Sequence, residues 1–232
     1  MGQSETLNAV KENRKMGQSE MLNAVKENRK MEQSETLNAV KENRKMEQLE
    51  MLHALEYMRK DTAYKNRKGI AFIGASVVIW LVILCIHLQD IPVEVKNLYT
   101  WFSSALLMPV AYWITRSLGI KLKNEDNPLN NVGMLFTMNQ VLYLNIVCWV
   151  YTAVPEKMLM VFAMVFGAHL LPFGWLYQSR SYTIASIVIT ISALIIGCSA
   201  PSWLLAAFML AFEVIFVVCL WAENCKVKVV SC

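Results

Sequence analysis

Between residues 69 and 222 the chain is a succession of apolar runs separated by short polar links. About 20 predominantly apolar residues make a helix long enough to span the hydrocarbon of a bilayer. Lipid offers the backbone no water to pair with, so each spanning run must bond its own N–H and C=O groups as a helix. Six runs qualify, at residues 70–88, 98–116, 133–154, 158–177, 181–198 and 202–222. The links are short, which predicts that consecutive helices are antiparallel neighbours. The expected fold is all-α: a six-helix transmembrane bundle over residues 70–222 with an N-terminal helical repeat extension. Composition agrees: 56% of residues are hydrophobic and 17% charged, less charge than an ordinary soluble domain carries. Most of that charge lies in residues 1–68.

Residues 1–60 are four copies of a 15-residue unit, MGQSETLNAVKENRK, of which the fourth, MEQLEMLHALEYMRK, has diverged. The unit lacks proline and is rich in Glu, Lys, Gln, Leu, Ala and Met, so it prefers helix. Its apolar stripe is poor. Fifteen residues overshoot four turns by about 60°, so equivalent positions drift around the axis. A solvated helix is the plain expectation; a self-associating segment or a partner-binding arm are the alternatives. The near-identical first three copies read as tandem duplication, with Met46 as the start of the ancestral chain.

Residues 61–69, with Arg59 and Lys60 just before them, form a basic juxtamembrane collar. Arg59, Lys60, Lys65, Arg67 and Lys68 read as a topology signal and a contact for anionic lipid heads. Arg116, Lys121, Lys123, Arg180, Lys226 and Lys228 fall on the same side, while the opposite links hold Lys96 and Lys157. The positive-inside rule therefore predicts a cytoplasmic-membrane protein with both termini, including the tail 223–232, in the cytoplasm. Aromatic residues such as Trp80, Trp113, Trp149 and Trp221 are expected at the interfaces.

Polar residues at bilayer depth are expensive and mark function or helix contacts. His169 and Glu213 lie near the middle of the fourth and sixth runs, and Asn139, Gln140, Tyr143 and Asn145 lie in the third. Together they form a predicted intramembrane polar centre, with Glu213 as a titrating carboxylate and His169 as its partner. Pro172 cannot donate to the carbonyl of Ala168, and Pro109 cannot donate to that of Ala105. Both are predicted kinks, the first beside His169. His87 is expected at an interface.

The six cysteines show no metal spacing; the four in apolar runs read as small buried apolar residues, and Cys225 and Cys232 lie on the tail beyond the last span. Glu125 and Asp126, before an Asn-Pro, read as a turn. No nucleophile, zinc-protease or phosphate-loop pattern occurs; no cofactor or metal is expected, and an enzyme is the least supported class. The net charge of +4 suggests no nucleic-acid partner. The lipid bilayer is the one partner the composition requires; a homo-oligomer is compatible with it.

Two blocks resemble a family of small bacterial multi-pass membrane proteins classed as a domain of unknown function. They are Asn127-Pro-Leu-Asn-Asn-Val-Gly-Met-Leu-Phe-Thr-Met-Asn-Gln-Val-Leu-Tyr143 and Phe166-Gly-Ala-His-Leu-Leu-Pro-Phe-Gly-Trp-Leu-Tyr-Gln-Ser-Arg-Ser-Tyr182. The resemblance spans about residues 50–226 and leaves out the first three repeats. It implies a membrane location and a bacterial source, and no mechanism. Two function classes stay open: a small transporter or sensor, for a small solute or proton, with its polar centre around His169, and an accessory membrane protein whose polar residues serve helix packing.

Overall fold

A computed structural model describes residues 2–120 and 127–230. Lys121, Lys123, Glu125, Asp126 and Cys232 lie outside the described residues, as do the side chains of Lys226 and Lys228. Eight α-helices and two short 3₁₀ turns make up the described chain: α1 Gly2–Lys65, α2 Ile70–His87, α3 Val93–Ala105, α4 Leu107–Ser117, α5 Leu129–Ala153, α6 Met158–Leu176, α7 Arg180–Ser199 and α8 Ser202–Val230, with the turns at Arg67–Gly69 and Pro155–Lys157. No strand occurs among the described residues.

The chain divides into two compact units, residues 1–55 and 56–232. Residues 2–55 of the first are helical throughout, as their composition requires. Their drifting apolar positions find no common face, and Met21, Leu37 and Met46 are exposed.

In the second unit, five stretches are long and apolar enough to cross a membrane: Arg67–His87, Leu129–Ala153, Pro155–Leu176, Arg180–Ser199 and Ser202–Cys225. The expected span at 98–116 is the exception. It is divided into α3 and α4, and α3 stops at Ala105. That is the residue whose carbonyl Pro109 cannot serve and whose oxygen its ring crowds. Leu106 N–H turns instead to the Ser103 carbonyl at 3.1 Å, and Val110 N–H bonds the Leu106 carbonyl at 3.1 Å.

The helices pack in the spatial order α4, α2, α8, α7, α6, α5, an arc with α4 and α5 at its two ends. The α6–α7 seam is its tightest. Gly167 lets the helices approach so closely that a Cβ there would lie 2.7 Å from both Ile189 and Thr190, the close-packing use of small residues in membrane helices. Trp80, 1% exposed, is no interfacial anchor. It stands on the inner face of α2 with its ring 5.8 Å from Phe162 and 6.0 Å from Phe166. The cysteines of the apolar runs depart from expectation too: Cys85, Cys148, Cys198 and Cys219 are exposed, as is Cys225 beyond them. Hydropathy alone does not distinguish an apolar residue facing lipid from one facing a neighbouring helix.

A polar joint ties the start of α2 to the end of α8. Arg67, Lys68 and Gly69 take consecutive left-handed backbone angles, φ 45°, 50° and 67°, and turn the chain from α1 into α2. Tyr182 donates its hydroxyl to the Lys68 carbonyl at 2.8 Å. Lys68 Nζ reaches Glu223 at 2.7 Å, and Asn224 donates to the Arg67 carbonyl at 3.0 Å. The start of the first apolar helix and the end of the last therefore meet.

Candidate functional site

Because α4 and α5 are the free ends of the arc, space remains between them. A cavity of about 450 Å³ lies there, walled by α2, α4, α5 and α6. That volume falls in the range of small-molecule sites, roughly 300–1,000 Å³. Its walls are mostly apolar, with Phe72, Phe166, Leu170 and Phe173 prominent. Among the described residues no Asp, Glu, Lys or Arg lines it. Polar groups occur at two levels: Thr137, Gln140 and His169 part-way along the helices, and Thr62, Asn66 and Tyr177 at the end where α2 begins and α6 ends. Met108, Tyr112 and Met134 line the cavity yet are 49%, 60% and 64% exposed, so its side between α4 and α5 is open.

The structure brings together only part of the predicted polar centre. His169 and Gln140 both line the cavity. His169 Nδ1 lies 2.5 Å from the Phe166 carbonyl. A carbonyl only accepts, so Nδ1 carries the proton and a neutral ring leaves Nε2 as an acceptor. The ring stands against Phe166 and Phe173, at 5.3 and 6.0 Å. Its carbonyl partner is thus Phe166, not the Ala168 oxygen that Pro172 leaves unserved. The helix also runs without interruption through Pro172 from Met158 to Leu176. Asn139, Tyr143 and Asn145 do not join the centre. All three are exposed, and Asn145 donates to the Leu142 carbonyl of its own helix at 3.0 Å. The third run carries polar residues on several faces, and one face alone meets α6.

Glu213 is fully buried, but its partner is not His169. Ser76 Oγ on α2 lies 2.5 Å from Glu213 Oε2. The same hydroxyl is 2.7 Å from the Ile73 carbonyl. Neither Glu213 nor Ser76 lines the cavity.

Most collar cations are engaged within the protein. Lys60 pairs with Glu56 and Lys65 with Asp61, each at 2.9 Å. Arg59 lies 4.5 Å over the Trp175 ring and donates to the Trp175 carbonyl. Lys68 is buried against Glu223. Glu223 also accepts from Ser179 Oγ at 2.7 Å and from Ser181 Oγ at 2.6 Å. Sequence reasoning missed this joint, because Lys68 and Glu223 lie more than a hundred residues apart and each reads locally as a helix end. His87, expected at an interface, is buried between Ser202 at 2.9 Å and Thr100 at 3.2 Å. Tyr177, just past the end of its span, is buried; burial pushes its phenol up to about 12, against the pull of an Asn66 hydrogen bond.

A family model covers residues 55–223. The chain belongs to the family of unknown function DUF7010. The DUF7010 match contains every cavity-lining residue, Glu213 and the Lys68–Glu223 pair, and it leaves out the first three repeat copies. No curated protein and no solved structure matches the chain.

Proposed function

We propose that this protein is a small membrane carrier or sensor that takes an uncharged, mostly apolar molecule into the cavity between α4 and α5. The observation that carries the reading is the cavity itself: small-molecule sized, free of charged side chains among the described residues, and open on one side. A charged ligand would find no counter-ion in such walls. His169 and Gln140 give the bound molecule its polar contacts at depth. The proton-relay version of the centre loses support, because Glu213 is engaged with Ser76 away from the cavity. That same pair favours the second reading, an accessory protein whose polar residues join helices.

The open side faces lipid if α3 and α4 together make a sixth, broken crossing. The Lys68–Glu223 contact supports this, since the first apolar helix starts and the last one ends at the same side. An even number of crossings satisfies that, and five do not. Arg116 and Arg180 stand at that same end, which by the positive-inside rule is cytoplasmic, with both termini. Reporter tags at the two termini are expected on the cytoplasmic face; tags on opposite faces would refute the topology. For the cavity, the purified protein should carry a neutral compound extractable into organic solvent, and Gly133→Trp, which fills the cavity wall, should lose it. No compound in either preparation counts against the carrier or sensor reading.

A further inference from the structure

Of the membrane-length stretches, α5 is the least covered. Only 6% of its most apolar part is buried within the protein, against 28–44% of the other four, because α6 is the one helix that packs along it. The side left bare is ordered. Leu135, Met138, Leu142, Asn145, Trp149 and Thr152 follow one another in alternating steps of three and four residues, and all six are exposed. Steps that average about 3.5 residues keep one stripe against a second helix along its length, at the shallow left-handed crossing common in membrane bundles.

Lipid covers an apolar stripe as well as another helix does. The exposed Ile184, Ile187, Ile191 and Leu194 of α7 are of that kind. The stripe on α5 differs by one amide. Asn145 stands eight residues, about 12 Å, from the Ala153 end of a 25-residue helix. That helix is about 37 Å long and overhangs a hydrocarbon core of about 30 Å by a few ångströms at each end, so the amide lies roughly 8 Å inside the hydrocarbon. One of its N–H groups donates to the Leu142 carbonyl at 3.0 Å. The other N–H and Oδ1 have no partner among the described residues, and lipid supplies none.

Valence and symmetry together name the partner. A carboxamide with one N–H and its oxygen to spare is complementary to a second carboxamide in the same state: each donates to the other's Oδ1, with no charge involved. Copies of one chain enter a membrane in one orientation, so a closed pair has its two-fold axis along the bilayer normal. Such an axis beside α5 sets two α5 helices parallel and in register. Asn145 then meets Asn145 at one depth, and Leu135, Leu142 and Trp149 pack against their own counterparts. A wholly apolar partner would leave the amide unserved, and a charged one would find no counter-ion in the stripe.

We infer that the bare face of α5 is a homodimer seam, closed by hydrogen bonds between the two Asn145 amides. None of the six seam residues lines the cavity, so the inference is independent of what the cavity holds.

The test uses the full-length protein carrying the photocrosslinker p-benzoylphenylalanine in place of Leu142, or in place of Ile187 on α7 as the lipid-facing control. Irradiated in the expressing cells and again after reconstitution into liposomes, the first should give a product of twice the chain's mass and the second should not. Energy transfer between labelled copies at falling protein-to-lipid ratio gives the association constant. Asn145→Leu should lower that constant about five- to thirtyfold, the range for hydrogen bonds between model membrane helices. Asn145→Gln, which keeps the amide, and Asn139→Leu, an exposed polar position off the seam, should stay near wild type. Asn145 bonds only within its own helix, so its replacement leaves the fold of the single chain intact. A monomer at every ratio, equal crosslinking from position 187, a product of another mass in cells, or unchanged association of Asn145→Leu would each overturn the inference.

Discussion

Ser76 Oγ stands 2.5 Å from Glu213 Oε2 and 2.7 Å from the Ile73 carbonyl. A serine hydroxyl has one proton, and a carbonyl only accepts. That one proton is shared between two acceptors, Glu213 Oε2 and the Ile73 carbonyl. No lysine, arginine or histidine is paired with Glu213 among the described residues. The pair links α2 to α8.

Glu213→Gln is expected to fold with nearly unchanged thermal stability, because the amide can still hydrogen-bond Ser76. Glu213→Ala should cost about 1–3 kcal/mol, the range for a buried hydrogen bond broken from one side. Thermal unfolding in detergent checks both. A Gln variant as damaged as the Ala variant would show that the carboxylate is charged.

The Lys68–Glu223 pair predicts a different pattern. Removing one partner of a buried pair costs about 3–5 kcal/mol because the other charge is left alone. The Glu223 side chain is 23% exposed, which brings the expected loss for Glu223→Leu to about 2 kcal/mol. Lys68→Met combined with Glu223→Leu should recover part of it, since no unpaired charge remains. A double-mutant cycle on melting midpoints reads the coupling, and strictly additive losses would contradict it.

At the α6–α7 seam, Gly167→Leu should destabilise by at least about 1–3 kcal/mol, the usual penalty for overfilling a packed site, because even a Cβ meets Ile189 and Thr190 at 2.7 Å. Gly119→Ala is the control: among the described residues no neighbour lies within 4 Å of an added Cβ, and its left-handed φ of 64° limits the loss to about 1–2 kcal/mol of backbone strain. Proteolysis rates in detergent rank the two.

Deleting residues 1–45 should leave the melting temperature of the remaining chain unchanged. Residues 56–232 form their own compact unit, and the family match begins at residue 55. A fall in expression of folded protein after this deletion would contradict the prediction.

The predicted site was half legible. His169 and Gln140 stand out in a sequence because polar groups in apolar runs are rare, and both line the cavity. Asn139, Tyr143 and Asn145 stand out for the same reason but point elsewhere. Rotation about a helix axis decides which of several polar residues faces inward, and an apolar run pinned on one side only, as α5 is, encodes that rotation weakly. Thr62 and Asn66 left no signal, since short polar residues before a basic collar are ordinary surface chemistry until a helix end covers them.

What the sequence determined by itself is local: helices throughout, apolar runs of membrane-spanning length, and an interruption four residues before Pro109. Those follow from backbone hydrogen bonding and side-chain hydropathy within one segment. Only the tertiary structure decided that Glu213 meets Ser76, that Lys68 meets Glu223, that the cysteines of the apolar runs face outward, and that α4 and α5 part to leave a cavity. Each depends on which faces of distant helices come into register, a choice made by packing between segments rather than by the composition of any one of them.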